Sequence, residues 1–197
     1  MTEKVTKKLL VKVAKQRFAT NGLENTTMDD IAQASEKGRR TLYTYFKSKE
    51  EIYYEVMESE LDRLADKLAE IAAQIISPRE KVIEIINTHF DVIRETVMQN
   101  GNLQTDIYRN IWVVEKVRKN FDLTELELFQ SVLTEGNNAG EFDVDNINLT
   151  ADIWHNLIKG LEVPYVFGCI DPEYTKHYVN KLVNGALCLS PHCVSNT

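Results

Sequence analysis

This sequence predicts an all-α fold of about nine helices, and three observations predict it. Apolar residues recur at three- and four-residue steps along nearly the whole chain. No stretch sustains the alternation of a strand. The four prolines and eight glycines fall at the ends of periodic segments, with one exception, Pro164. At 43% hydrophobic and 27% charged over 197 residues, the composition is that of an ordinary folded chain. Its longest apolar runs are too short to span a bilayer, and Met1-Thr-Glu-Lys-Val leads into an amphipathic stretch rather than a signal core, so a cytoplasmic location is expected.

Taken in order, Leu9, Leu10, Val13, Ala14 and Phe18 form one face of a first helix, which Asn21-Gly22 stops. Thr27 caps a short second helix, with Asp30 three residues on in place of the usual Glu of a capping box. Gly38 opens a third, ending near Phe46. Ser48-Lys-Glu-Glu51 starts a long fourth helix, along which Ile52, Val56, Met57, Leu61, Leu64, Leu68, Ile71 and Ile75 recur. Ser77-Pro78-Arg-Glu80 launches a fifth, which stops at Asn100-Gly101. A sixth is expected over Gln104 to Lys119, and a seventh from a cap at Asp122 or Thr124 to Gly140. The eighth runs from about Ile147 to Gly168, and Asp171-Pro172 starts a ninth that ends near Leu189. Pro164 removes a backbone hydrogen bond inside the eighth and clashes with the carbonyl of Gly160, so a bend is expected there.

The net charge of -7 is unevenly placed. Residues 1–50 hold eleven Lys or Arg against six acids, leaving twelve against twenty-four for the rest. A basic end on an acidic body attracts phosphate to one region and repels it elsewhere. The three cysteines, Cys169, Cys188 and Cys193, are odd in number and lack metal-ligand spacing, even with His192 between the last two, so neither a disulfide framework nor a metal site is expected. No cofactor is expected either.

Residues Thr27 to Phe46 have the makings of a helix-turn-helix. Ala32 is small enough for the crossing of two helices, Met28, Ile31, Leu42 and Phe46 anchor them, and the second presents a polar face. On a wheel of about 100° per residue, Leu42 and Phe46 set the buried direction. Arg40 and Thr44 then lie nearly opposite, with Thr41 and Tyr43 on the flanks and Arg39 and Tyr45 nearer the buried side. Arg40 is the expected base reader, by a bidentate contact to guanine. Thr44 suits a thymine methyl or a phosphate, while Tyr43 and Thr41 suit the groove walls. Arg39 and Tyr45 must reach round to phosphates or pack. Lys37 and the Gly38 amide stand at a helix N-terminus, where charge and dipole favour phosphate. Lys47, Lys49 and the hydroxyl of Thr26 or Thr27 are expected on the flanking backbone.

Thr26-Thr27, Asp30-Ile31-Ala32, Thr41-Leu42-Tyr43, Tyr45-Phe46 and Ser48-Lys49-Glu50 resemble, at these spacings, the tetracycline-repressor (TetR) family of bacterial regulators. The likeness is strong over residues 5–57. Beyond them it is limited to the helix count and to Gly140-Glu-Phe142, which is similar to a turn that the family often places before its eighth helix. One departure stands out: where many members have Gly-Val-Ser before the recognition helix, this chain has Glu36-Lys37-Gly38. The resemblance implies a DNA-binding domain over 1–47 and a ligand-binding and dimerisation domain over 48–197. It also implies a homodimer on palindromic double-stranded DNA, a small-molecule effector that releases it, and repression as the outcome.

The last two helices are apolar on more than one stripe, and a terminal helix needs only one to pack on its own body. Trp154, Leu157, Leu161, Tyr178, Leu182, Val183 and Ala186 are therefore candidates for an interface between two copies. His89, Phe90, Tyr108, Trp112, Phe129 and Trp154 are candidates for lining a pocket, and their bias is toward an apolar or aromatic ligand. Enzyme chemistry is not expected: there is no glycine-rich phosphate loop or nucleophile elbow, and His89 and Asp91 lie about 200° apart on a helix. The competing possibility is a helical dimer that binds another protein and touches DNA only incidentally.

Overall fold

The computed structural model describes residues 3–99 and 111–187, with backbone alone for 99 and 111–114. Among these residues the chain forms eight helices and no strand element. They are α1 (Glu3–Asn21), α2 (Met28–Ala34), α3 (Arg39–Tyr45), α4 (Lys49–Ala72), α5 (Pro78–Gln99), α6 (Ile111–Ala139), α7 (Ile147–Val166) and α8 (Pro172–Ala186). No described helix is long and apolar enough to cross a membrane. The chain gathers into two compact units, Met1–Asp62 with Glu95–Lys119 and Arg63–Arg94 with Asn120–Thr197.

The first unit is organised by α1 to α3 and the start of α4. Leu10, Ala14 and Phe18 of α1 meet Ile31 and Ala32 of α2, Leu42 of α3 and Phe46 beyond it, and Ile52, Tyr53 and Val56 of α4. Phe18 and Tyr53 pack edge to face, 5.8 Å between centroids. Because this core takes in two turns of α4, the unit runs past residue 47. Local chemistry sets its joints. The Gly22 amide donates to the Phe18 carbonyl and Gly22 takes a positive φ of 81°, which ends α1. At α2 the Thr27 hydroxyl accepts from the Asp30 amide while the Asp30 carboxylate accepts from the Thr27 amide, a complete capping box with Asp in the place of Glu. That pairing holds the Asp30 carboxyl below its usual range. The start of α4 is a looser version, with the Glu51 amide donating to Ser48 and the Glu51 carboxylate accepting from the Lys47 amide.

In the second unit, Ser77 and Glu80 form the box that launches α5, Asn146 caps α7 and Asp171 caps α8. Phe90 of α5 stacks on Tyr165 of α7 at 4.9 Å. The α6–α7 joint turns on Gly136. Its carbonyl accepts from the amides of Glu141 and Phe142, and a Cβ at 136 would stand 1.9 Å from the Phe142 ring. Phe142 therefore folds back onto the helix where only glycine leaves it room, and Gly140 supplies the positive φ of 71°.

Two expectations need correction. No cap breaks the chain at Asp122 or Thr124: α6 runs unbroken through both, the Thr124 hydroxyl donates back to the Asn120 carbonyl, and Asp122 pairs with Lys159. The part of the expected sixth helix before 111 lies outside the described residues, as do the stop at Asn100-Gly101, Leu189, Cys188 and Cys193. Helix α4 ends at Ala72, so Ile75 is not part of its apolar stripe and is fully exposed. Pro164 lies inside α7, as expected.

Candidate nucleic-acid interface

Residues 1–62 carry eleven basic and eleven acidic side chains, because the first turns of α4 add Glu51, Glu55, Glu58, Glu60 and Asp62. Two lysines of α1 are paired with them, Lys7 with Glu55 and Lys15 with Glu60. The cationic character is local. Residues 37–49 hold Lys37, Arg39, Arg40, Lys47 and Lys49 and no acid.

Helix α3 is placed by its buried side. Leu42 is fully buried and Phe46 nearly so, which turns Arg40, Tyr43 and Thr44 to solvent. The Thr44 hydroxyl donates to the Arg40 carbonyl. Thr41 and Lys37 are half-buried, Tyr45 is half-buried against the core, and Gly38 is an exposed N-cap. Arg39 is exposed. Its Nε lies 3.1 Å from the Asp29 carboxylate, and its guanidinium sits 5.6 Å from the Tyr43 ring centroid. Lys47 is exposed. Lys49 is half-buried, with its ammonium donating to the carbonyls of Leu23 and Glu24, where it closes the α1–α2 loop. Thr26 must be corrected: it is fully buried and its hydroxyl donates to the Gly22 carbonyl, so of the two threonines only Thr27 is at the surface. The turn before α3 holds Glu36 at a φ of 53°, the one non-glycine residue in the left-handed region among those described. It stands where many family members have glycine.

The second unit divides the other candidates. His89 and Phe129 are fully buried. Phe90 and Trp154 do line an apolar groove of about 300 Å³ between α5, α7 and α8, together with Leu157, Leu161, Tyr178 and Leu182. Tyr108 and the Trp112 side chain lie outside the described residues. On α8 the two apolar rows part company. Val179, Val183 and Leu187 are buried, while Tyr174, Tyr178, Leu182 and Ala186 are exposed. Trp154 and Val183 thus turn inward. Leu157, Tyr178, Leu182 and Ala186 face outward, and Leu161 is half-buried.

A buried polar network was not foreseen. His89 Nδ1 is 2.5 Å from Glu125 and its Nε2 is 2.7 Å from Glu162, while His155 Nδ1 is 2.8 Å from the other Glu125 oxygen. Both ring nitrogens of His89 face carboxylates, so both carry protons. Burial works against that charge. The Glu125 carboxylate and the hydrogen bonds to Glu125 and Glu162 outweigh it, pushing His89 up to about 9. Burial likewise opposes the Glu125 charge, and His89 and His155 together bring it down to about 2. The signal was in the periodicity: Glu125 interrupts the buried i, i+4 row Phe121, Phe129, Leu133, and Glu162 follows Ala151, His155 and Ile158. A carboxylate at a core position needs a buried partner.

A polar-faced recognition helix crossing a second helix over a shared core defines a helix-turn-helix DNA-binding protein. Residues 10–56 match the model of the tetR family of bacterial regulatory proteins, and residues 60–184 match the QacR-like C-terminal region. The chain belongs to the tetR family of transcriptional regulators. The regulator QacR of Staphylococcus aureus is 25% identical over 151 residues, covering 76% of this chain and 80% of that protein. The transcriptional repressor KstR2 of Rhodococcus jostii is 30% identical over 138 residues, covering 69% and 67%. The FadR of Bacillus subtilis, solved in complex with stearoyl-CoA, shares the fold with a TM-score of 0.66 at 20% identity, over 89% of this chain and 96% of that one.

Proposed function

We propose that this regulator is a repressor that binds a palindromic operator as a homodimer in the cytoplasm and is released by a small, mainly apolar ligand. The reading rests on the outward face of α3, where Arg40, Tyr43 and Thr44 stand exposed over the buried Leu42 and Phe46. A helix anchored this way presents one arginine to base edges and leaves Lys37, Thr27 and Lys47 for phosphates. The residues that meet DNA fall within 1–47, although the core that holds them runs into α4, and ligand binding and dimerisation belong to 48–197.

Two observations support the rest. Leu149, Ile153, Leu157, Tyr174, Tyr178 and Leu182 are half of the twelve exposed large apolar side chains described, and all lie on α7 and α8. Such a concentration favours a second copy as the partner. The groove beside them has apolar walls and room for one small molecule. Leu157, Tyr178 and Leu182 belong to both groove and face, so a ligand there would change how two copies pair and shift the population away from the DNA-bound form. That one relative is a repressor and one neighbour holds an acyl chain agrees with both parts.

The test is selection of bound sequences from random duplex DNA, with wild type and Arg40→Ala. A palindrome whose preference relaxes at one base pair per half-site in the variant is expected, a loss of about 1–3 kcal/mol there. Uniform weakening makes Arg40 a phosphate clamp. No enriched sequence at all moves the protein-interaction alternative to the front.

A further inference from the structure

Arg39 and Arg40 are adjacent on α3, both exposed, and only one of them is held. Asp29, in the first turn of α2, takes the Nε of Arg39 at 3.1 Å. Tyr43, one turn along α3, meets the same guanidinium with its ring at 5.6 Å. The guanidinium is thereby laid along the outer face of α3 between a carboxylate and an aromatic ring. An arginine left free at this edge would reach phosphate, because a long flexible cation beside a duplex gains sequence-independent attraction. Asp29 itself is negative and exposed on the same side of the motif.

We propose that Asp29 is a positioning residue for DNA reading: by holding Arg39 against Tyr43 it withholds one of two adjacent arginines from the phosphates and leaves sequence reading to Arg40. The inference rests on the DNA-reading function proposed above. Its physical sense is that specificity is a difference between two affinities, and restraining a non-specific contact widens it as effectively as adding a specific one. An exposed pair with an exposed cation–π contact sets the scale at about two- to five-fold in affinity.

The experiment measures full-length protein on a random-sequence duplex and on the selected duplex over a range of salt concentrations. The variants are Asp29→Ala, Arg39→Ala, the double variant and Arg40→Ala. Asp29→Ala should tighten binding to the random duplex about two- to five-fold and steepen the log–log salt slope by about 0.9, one added phosphate contact. Preference for the selected duplex should shrink correspondingly. Arg39→Ala alone should leave the slope unchanged, and in its background Asp29→Ala should do nothing. Asp29→Asn, which keeps the shape and removes the charge, should follow Asp29→Ala and serves if the alanine variant melts early.

Three results overturn the proposal. A slope already flattened by Arg39→Ala makes Arg39 a phosphate contact. An equal gain with and without Arg39 means that Asp29 merely repels DNA. No gain from either Asp29 variant means that it restrains nothing. If Arg40→Ala leaves sequence preference intact, the reading of Arg40 fails instead, whatever Asp29 does.

Discussion

In the first unit the pairs Lys7–Glu55 and Arg39–Asp29 have side chains between 34% and 65% exposed. In the second, His89 and Glu125 have none of their surface in water. Exposed pairs are screened and rearrange at little cost, which suits a surface that must meet a polyanion and leave it again. The buried network can hold its charges only while every partner is in place. His89 comes from α5, Glu125 from α6, and Glu162 and His155 from α7, so one set of hydrogen bonds ties three helices. The lesson is that charge does two jobs in this chain. At the reader it is adjustable, and in the body it fixes which helices lie together.

The largest expected effect breaks the buried side of this contrast. His89→Ala removes the ring to which both Glu125 and Glu162 are bonded and should destabilise the protein by about 3–5 kcal/mol in denaturant unfolding. A loss below about 1 kcal/mol would mean that water or a partner shift replaces the ring. Next comes pH. His89 has its pKa raised, so its contribution is complete below about 6.5, its unfolded value, and is lost as pH rises through about 9. Glu125 has its pKa lowered, so its contribution is complete above about 4.5 and is lost as pH falls toward about 2. Unfolding midpoints should therefore fall between pH 6.5 and 9, and His89→Gln should flatten that limb. An unchanged limb in His89→Gln would assign the slope to other groups.

A smaller effect belongs to the reader, whose strain is in the backbone. Glu36 occupies a left-handed position that costs a non-glycine residue about 1–2 kcal/mol, so Glu36→Gly should raise stability by about 1 kcal/mol. A fall in melting temperature would show that the Glu36 side chain compensates. Smallest of all, Lys7→Ala should cost about 0–1 kcal/mol, and less as salt is added. A salt-independent loss of about 3 kcal/mol would erase the contrast between the two units.

Much of the fold was legible because helix ends carry local chemistry. Thr27–Asp30, Ser77–Glu80 and Asp171-Pro172 sit where a cap must sit, and the structure uses each of them. The same logic misled at residues 122–124, since Asp122 and Thr124 are equally able to serve mid-helix, one in an ion pair and the other bonded back to a carbonyl. The phase of α8 was legible as two rows, but which row turns inward depends on neighbours far away in sequence. Thr26 and Thr27 differ by one position and by all of their exposure, a distinction set by the Gly22 carbonyl. The buried network escaped because periodicity was read from apolar residues alone. Counting Glu125 as an intruder in the row of Phe121 and Phe129 would have exposed it.

The network also bears on the path by which the body assembles. His89 is 36 residues from Glu125 and 73 from Glu162, so no local stretch of chain can complete it. A body with two of these helices docked would enclose a charge with half its partners missing, and such a state is less stable than one that keeps the charge in water. Partly docked forms are penalised, and the last helix to arrive completes the remaining bonds together. The expected signature is a second unit that unfolds in one step, with amide protons of α5, α6 and α7 exchanging together rather than in sequence. Replacing the four polar residues by apolar ones of similar size should keep the helices while spreading their exchange rates apart.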